Sequence, residues 1–217
     1  MRSRKVGGFR PFARAGAIAS IALIGMVFSA NAAFAATVIG SAAGTVTSTS
    51  AGFDTVQISW SSGTYAVPAG GGFITLWSTQ AGPLAGPVGL QVWRPTTTAG
   101  TYLLVGASPL VTLTPSMMND IPLLTRIPVQ EGDLLGLRIE GRATYGQYTS
   151  SATDTYGSKQ SVNPAVGVID TFTNNTFFQL DVAATVEPAI TPPPPPPPPP
   201  TGCGFTGVST GDDVCIQ

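Results

Sequence analysis

The sequence predicts an all-β protein, an antiparallel β-sandwich of jelly-roll-like form with about nine or ten strands. Between residues 37 and 186, apolar runs of four to eight residues alternate with segments rich in Gly, Pro, Ser and Thr. Within these runs apolar and polar residues alternate with a period of two, and β-branched and aromatic residues are frequent. No stretch sustains helical periodicity over three turns, so short strands joined by turns account for the whole region.

The first strands show the alternation most clearly. The run "TVQISW" places Val56 and Trp60 on one face, and "GFITLWST" predicts Trp77 and Ile74 on opposite faces. These tryptophans, and Trp93 in a later run, are predicted to fill the core. The remaining runs follow in the order "VGLQVW", "TYLLVG", "PLVTLT", "LLTRIPV", "DLLGLRIE" and "NTFFQLDVAATV".

Turn residues separate these strands. In "YAVPAGGGFITLW" a strand ends near Pro68, which cannot donate to a β-ladder, and the glycines 70–72 reverse the chain. In "RIPVQEGDLLGLRI" a strand with Pro128 is followed by a predicted tight turn. There Gly132 supplies a positive φ angle, and Asp133 accepts hydrogen bonds from nearby backbone N–H groups.

The segment 141–164 departs from this pattern of short strands separated by turns. It holds Tyr145, Tyr148 and Tyr156 among small polar residues and is either a long loop or a weak hairpin with an extended tip. Tyrosine rings can stack on sugar rings, and loops often carry binding residues. The three tyrosines are therefore the candidate ligand-binding residues, with packing of the loop onto the sandwich as the alternative.

The first residues, 1–35, have the three parts of a secretory signal peptide. A basic lead-in is followed by an uncharged run from residue 15 to residue 30, whose centre reads "IASIALIGMVF". Ala33 and Ala35 then supply the small residues of a cleavage site. The apolar run is shorter than the roughly 20 residues of a membrane span. We therefore expect a secreted, extracellular protein, with attachment to the cell surface as a further option and no membrane span after cleavage.

The mature chain is mildly acidic. Five of the ten basic residues precede residue 36, which leaves five against eleven acidic residues and a net charge of about −6. Such a chain lacks the excess of basic residues that attracts nucleic acid. The sequence therefore excludes nucleic acid as an expected partner.

Two segments follow the predicted sandwich domain of residues 36–187. The linker 188–201 contains nine consecutive prolines, which are expected to form a polyproline II rod of about 28 Å. The tail 202–217 is too short to bury a core, and we expect it to be disordered with the linker. Its Cys203 and Cys215 are the only cysteines of the chain, and in an exported protein they predict one disulfide.

Most catalytic chemistries are excluded by composition. The chain contains no histidine, which removes Ser-His-Asp and Cys-His catalysis and ordinary zinc sites. Phosphate-cradling loops and nucleophile-elbow motifs are also absent from the sequence. A non-enzymatic protein without a cofactor is therefore the expectation.

Carboxylates are the remaining reactive groups. Glu131 and Asp133 are close in the sequence but lie in the predicted turn, and a glycoside hydrolase needs two carboxylates across a cleft. A structural calcium ion at the sandwich loops is a further hypothesis, because calcium needs only oxygen ligands. The sequence does not indicate which residues would bind it.

The phrases "YAVPAGGGFITLWSTQAG", "LQVWRP", "YLLVGASPLVTLTP" and "RIPVQEGDLLGLRI" resemble a type of exported β-sandwich domain from high-GC Gram-positive bacteria. The resemblance covers roughly residues 37–186 and rests on the order of these phrases. It implies a jelly-roll-like sandwich outside the cytoplasm, and it supplies no activity and no functional residues.

The sequence thus predicts a secreted, non-catalytic β-sandwich module that binds or decorates an extracellular surface, with a glycan or cell-wall polymer as the first choice of ligand. A self-associating structural surface protein is the alternative, because a chain of low charge can assemble through strand edges. A carboxylate-dependent polysaccharide hydrolase is the third hypothesis.

Overall fold

The computed structural model describes residues 35–42 and 44–189. These residues form fifteen strands and no helix, so the predicted all-β class is confirmed. The predicted signal peptide apart from Ala35, the proline run, and the pair Cys203 and Cys215 lie outside the described residues. Among the described residues no helix is long and apolar enough to cross a membrane.

The strands are numbered in chain order. They are β1 (Thr37–Ser41), β2 (Ser48–Thr49), β3 (Phe53–Ser59), β4 (Gly72–Gln80), β5 (Pro87–Pro95), β6 (Thr101–Ala107), β7 (Val111–Thr112), β8 (Met118–Val129), β9 (Leu134–Ile139), β10 (Tyr145–Tyr148), β11 (Thr155–Gln160), β12 (Ile169–Thr171), β13 (Thr173–Thr176), β14 (Phe178–Leu180) and β15 (Val182–Glu187). The count exceeds nine or ten because several strands have only two to four residues.

All strand pairs are antiparallel and form three sheets. The first sheet has the order β1-β15-β4-β8, and a small sheet has the order β14-β10-β2. The largest sheet has the order β12-β6-β5-β9-β3-β11-β13, with β7 paired to β5.

The main core lies between the four-stranded sheet and one face of β5 and β9. Strands β4 and β15 contribute Ile74, Trp77, Val182 and Ala184, all at most 1% exposed. The facing side chains, equally buried, are Val88, Leu90, Val92, Leu135, Leu137 and Ile139. Two sheets that bury their inner faces against each other make a β-sandwich, as predicted.

A second core lies on the other face of β5 and β9. It contains six buried residues, namely Val56, Trp93, Tyr102, Leu104, Leu134 and Phe172. Val92 and Leu135 face the main core, and Trp93 and Leu134 face the second core. Because both of their faces are buried, the sequences of β5 and β9 are nearly continuous apolar runs.

The large sheet curls around this second core. Its two end strands, β12 and β13, are successive parts of one chain segment, residues 169–176. The first part pairs with β6 and the second part pairs with β11. Phe172 lies between the two parts and is 5% exposed, with its ring 4.8 Å from that of Trp93. The segment therefore joins the two ends of the sheet around an apolar interior.

The predicted turns are confirmed. Glycines 70, 71 and 72 all have positive φ, and the Gly71 N–H donates to the Pro68 carbonyl over 3.1 Å. Gly132 has φ +82°, and Asp133 accepts from the Gln130 N–H over 2.7 Å. Trp77 and Trp93 are fully buried and Trp60 is partly buried, in agreement with their predicted role in the core.

Two details of the prediction were wrong. Ile74 and Trp77 face the same core, because the register of β4 against β8 shifts between Ile74 and Leu76 and breaks the strict alternation. The segment 141–164 contains two strands, β10 and β11, that do not form a hairpin. Strand β10 pairs with β14 and β2, whereas β11 pairs with β3 and β13.

Candidate functional site

The three candidate tyrosines meet around one phenylalanine. Strand β10 carries Tyr145 and Tyr148, β11 carries Tyr156, and all three rings contact Phe178 of β14. The ring centroids of Tyr145 and Tyr156 each lie 4.8 Å from that of Phe178, and the Tyr148 centroid lies 5.2 Å away. These four residues form the aromatic cluster.

Only one tyrosine of the aromatic cluster is strongly exposed. Tyr148 is 68% exposed, whereas Tyr145 is 8% exposed and its hydroxyl is 2.7 Å from that of Tyr156, to which it donates a hydrogen bond. Burial, together with this hydrogen bond, raises the pKa of Tyr145 far above its ordinary value. Tyr145 therefore supports the cluster from inside, and ligand binding stays a prediction chiefly for Tyr148.

Phe177 adds a second exposed ring that the sequence prediction missed. Its backbone has φ +62°, a left-handed conformation that is uncommon for a non-glycine residue, and 47% of the residue is exposed. The Thr149 N–H donates to the Phe177 carbonyl over 2.8 Å, which ties it to the residue after Tyr148. The sequence signal was the pair "FF", since consecutive residues of a strand point to opposite faces and the two rings cannot both enter the same core.

Gln57 fixes the backbone behind the aromatic cluster. Its buried side-chain amide donates to the carbonyls of Phe178, Thr155 and Ser59, with distances between 2.9 and 3.2 Å. Its amide oxygen accepts from the Leu180 N–H over 2.7 Å. One side chain thus satisfies groups on three strands, which holds Phe178 in place.

Asp154 anchors the loop between β10 and β11. Its carboxylate accepts from the Ser61 N–H and hydroxyl over 2.6 and 2.9 Å, and from the Gln179 side chain over 2.8 Å. Burial alone would raise its pKa, but hydrogen bonds from Thr149, Gln179 and Ser61 outweigh that effect and lower the pKa. The loop beside Tyr148 is therefore held by a charged, buried anchor.

A shallow polar groove is lined in part by the segment that precedes β2. It has a volume of about 400 Å³ and is lined by residues 44–46, residues 80–83 and Ser116. The Thr47 hydroxyl accepts from the Tyr148 N–H over 2.9 Å, so the groove and the exposed tyrosine share one chain segment. A Cβ at Gly44 would lie 2.7 Å from the amide end of the Gln147 side chain, which would have to move to admit it.

Asp181 is 4% exposed and lies beside the backbone of Gln80, one of the residues that line the groove. One of its carboxyl oxygens, Oδ2, has no hydrogen-bond partner among the described residues. Burial raises its pKa to about 8, and the backbone N–H of Gln80 offsets this only in part. The neutral acid of Asp181 is therefore favoured over the carboxylate at neutral pH, because a neutral group costs less to bury than a charged one.

The two carboxylates of the hydrolase hypothesis have different surroundings. Asp133 is fully buried and binds Arg94 through both oxygens, at 2.7 and 2.9 Å, while Glu131 is exposed in the turn. The hydrogen bonds to Asp133 fix the turn between β8 and β9, which is a structural task. Within the described ranges, no group of three or more His, Cys, Asp or Glu residues is placed to hold a metal ion.

Comparison of the chain with protein-family models, with curated proteins and with solved structures found no match.

Proposed function

We propose that this protein is an exported, non-catalytic β-sandwich module that binds an extracellular glycan or cell-wall polymer. The observation that carries the proposal is the exposed pair, Tyr148 and Phe177, at one end of the small sheet. The Thr149 N–H bond to the Phe177 carbonyl holds the two residues close along the backbone, and each exposed ring can stack against the apolar face of a sugar ring.

The support beneath the exposed pair favours binding with little loss of conformational entropy. Tyr148 packs edge-on against Phe178, which is 1% exposed and held from behind by Gln57. A ring that is already fixed loses little freedom when a ligand covers it. The adjoining groove offers the hydroxyl and amide groups of Thr45, Gln80 and Ser116 to sugar hydroxyls.

Charge and export complete the proposal. The acidic mature chain favours a neutral polysaccharide over a polyanion, which it would repel. The signal-peptide pattern of residues 1–35 and the resemblance to exported sandwich domains of high-GC Gram-positive bacteria support a place outside the cell. There the proline-rich linker would hold the sandwich away from its tail.

The test is retention of the chain from residue 36 on isolated cell walls and on insoluble polysaccharides. We expect saturable binding that falls at least about tenfold in Tyr148→Ala and in Phe177→Ala, since each loses a stacking ring. Leu124→Ala is the matched control, because Leu124 is exposed but lies on β8 of the four-stranded sheet. Equal retention of all variants, or retention of none, would contradict the proposal.

The same experiment with EDTA addresses the open question of calcium. Binding that is lost in EDTA and restored by Ca²⁺ would indicate a metal-dependent surface. Binding that is unchanged in EDTA would leave the exposed pair as a metal-free site.

Self-association through a strand edge is the second candidate function. The twelve-residue strand β8 is an edge of its sheet and carries the fully exposed Leu124. Pro122, Pro128 and Arg126 on the same strand oppose edge pairing, which makes this candidate the weaker one. Light scattering at rising concentration tests it, and a monodisperse monomer would contradict assembly.

A further inference from the structure

The interior of the curled sheet has an apolar part and a polar part. In three of its chain segments a polar residue lies two positions from an apolar or small one, which places both on the same side of an extended backbone. Asp54 precedes Val56 on β3, and Asp170 precedes Phe172 in the segment 169–176. Lys159 follows Gly157 on β11, where an added Cβ would meet Phe172 at 2.8 Å and Val56 at 3.0 Å.

Lys159 and Asp170 are in direct contact in this polar part. The Lys159 Nζ lies 2.5 Å from Asp170 Oδ1, and the two side chains are only 17% and 16% exposed. The second carboxyl oxygen of Asp170 has no hydrogen-bond partner among the described residues. By contrast, the pair Arg126 and Glu187 is separated by 3.9 Å and is about half exposed, as is usual for a surface ion pair.

The residue type at position 159 is also unusual for this chain. Lys159 is the single lysine after residue 35, where the other four basic residues are arginines. An arginine would serve an ion pair equally well or better, but only lysine has an amine that can act as a nucleophile.

A third side chain, that of Asp54, is placed beside this pair. Asp54 and Lys159 are direct partners across the β3–β11 ladder, which brings their side chains together on the same face. Asp54 is fully buried; its Oδ1 accepts from Gln91 and Ser161, and its Oδ2 has no partner in the described part of the chain. Burial raises its pKa against the opposing effects of Gln91, Ser161, Lys159 and Arg138, which favours a protonated carboxyl.

We propose that Lys159 and Asp170 condense spontaneously in the folded protein to form an intramolecular amide bond. The neutral amine of Lys159 attacks Cγ of Asp170, the Nζ–Cγ bond forms, and one Cγ–O bond breaks. Asp54 donates its proton to the leaving oxygen and recovers one from the attacking nitrogen, so that one water molecule leaves. The ammonium and carboxylate together contain all the atoms of the amide and the water, and no other reactant is needed.

The fold supplies what this reaction needs. Lys159 and Asp170 are already in contact within a rigid interior, so their reaction needs no bimolecular encounter. This is the largest contribution that positioning makes to such a step. The product would fasten β12 to β11 across the closure of the curled sheet, in a domain whose described part contains no disulfide.

Intact mass under denaturing conditions tests the proposal on the whole chain from residue 36. With the predicted disulfide of the tail reduced, we expect a mass about 18 Da below the sequence value, the loss of one water. Trypsin should fail to cleave after Lys159, and an amine-reactive label should modify only the N-terminus. Fragmentation of the digest should find Lys159 joined to Asp170.

Three variants separate the bond from the ion pair. Lys159→Arg preserves the charge but cannot form the amide, and Asp170→Ala removes the acceptor, so both should have the full sequence mass. Asp54→Asn preserves the shape of the side chain but removes its acidic proton. This variant should fold, and it should lose water at least tenfold more slowly than the parent. Circular dichroism checks that each variant folds.

Two results would overturn the proposed bond, and a third would overturn the proposed role of Asp54. A folded parent protein with the full sequence mass and a Lys159 that can be labelled and cleaved would exclude the bond. A mass deficit that persists in Lys159→Arg would assign the loss of water to another reaction. Formation of the bond at an unchanged rate in Asp54→Asn would remove Asp54 from the mechanism.

Discussion

Buried polar side chains of this protein fall into two groups at the scale of single residues. Gln57, Asp133 and Asp154 have their polar atoms bound by several partners, and each fixes the backbone of a neighbouring strand or turn. Asp54 and Asp181 each leave one carboxyl oxygen without a partner among the described residues. The residues of the first group fix the local backbone geometry. Those of the second group make the free energy of unfolding depend on pH, because that free energy changes with their protonation.

Asp181 should make stability depend on pH. Its folded pKa of about 8 exceeds its ordinary value of 3.8, so between these values the folded state holds a proton that the unfolded state releases. The free energy of unfolding is therefore greatest below the unfolded pKa and falls as pH rises towards 8. The slope is about 1.4 kcal/mol per pH unit in the middle of that range.

The variant Asp181→Asn removes this titration. In urea unfolding we expect stability close to that of the parent near pH 4 and higher stability than the parent at pH 7, with a flatter profile between. Some decline should persist, because burial also raises the pKa of Asp54. A parent profile that rises from pH 5 to pH 7 would contradict the assignment.

Close approach of strands explains several features at the scale of elements. Gly136 on β9 is the clearest example, since a Cβ there would lie 1.9 Å from the Thr55 carbonyl oxygen and 3.0 Å from the Trp93 ring. The Thr55 hydroxyl in turn donates to the Leu137 carbonyl over 2.9 Å. The glycine thus lets β9 approach β3 and makes room for Trp93 in the second core.

Gly136→Ala should separate these strands. We expect a loss of about 2–3 kcal/mol in the free energy of unfolding, since backbone must shift to admit the methyl group. Gly89→Ala on the adjacent strand β5 is the matched control, because its nearest neighbours would be 3.3 and 3.4 Å away. Its cost should stay near or below about 1 kcal/mol, and equal losses in the two variants would refute the packing argument.

The whole molecule depends on apolar burial for its stability. Its two cores lie on opposite faces of β5 and β9, and no cysteine occurs between residues 1 and 202. The only cysteines, Cys203 and Cys215, follow the proline run. Their redox state should therefore have little influence on the sandwich.

A reducing agent should leave thermal unfolding of the chain from residue 36 unchanged. We expect a Tm within about 2 °C of the oxidised protein, because a disulfide in the tail constrains no part of the folded domain. Differential scanning calorimetry with and without reductant measures this directly. A drop of many degrees on reduction would show that the tail contributes to the fold.

The sequence by itself determined the strand class, the turns and the burial of Trp77 and Trp93. These follow from period-two patterning and from the φ angles that Gly and Pro impose, which are local properties. It also identified Tyr145, Tyr148 and Tyr156 as the residues to inspect.

Only the tertiary structure decided how these parts combine. The bulge in β4, the curl closed by residues 169–176 and the meeting of Lys159, Asp170 and Asp54 depend on pairings between strands far apart in the sequence. Which tyrosine is exposed depends on Phe178, a residue whose partners lie on two other strands. Strand pairing over long sequence separations sets these contacts, and no local pattern encodes it.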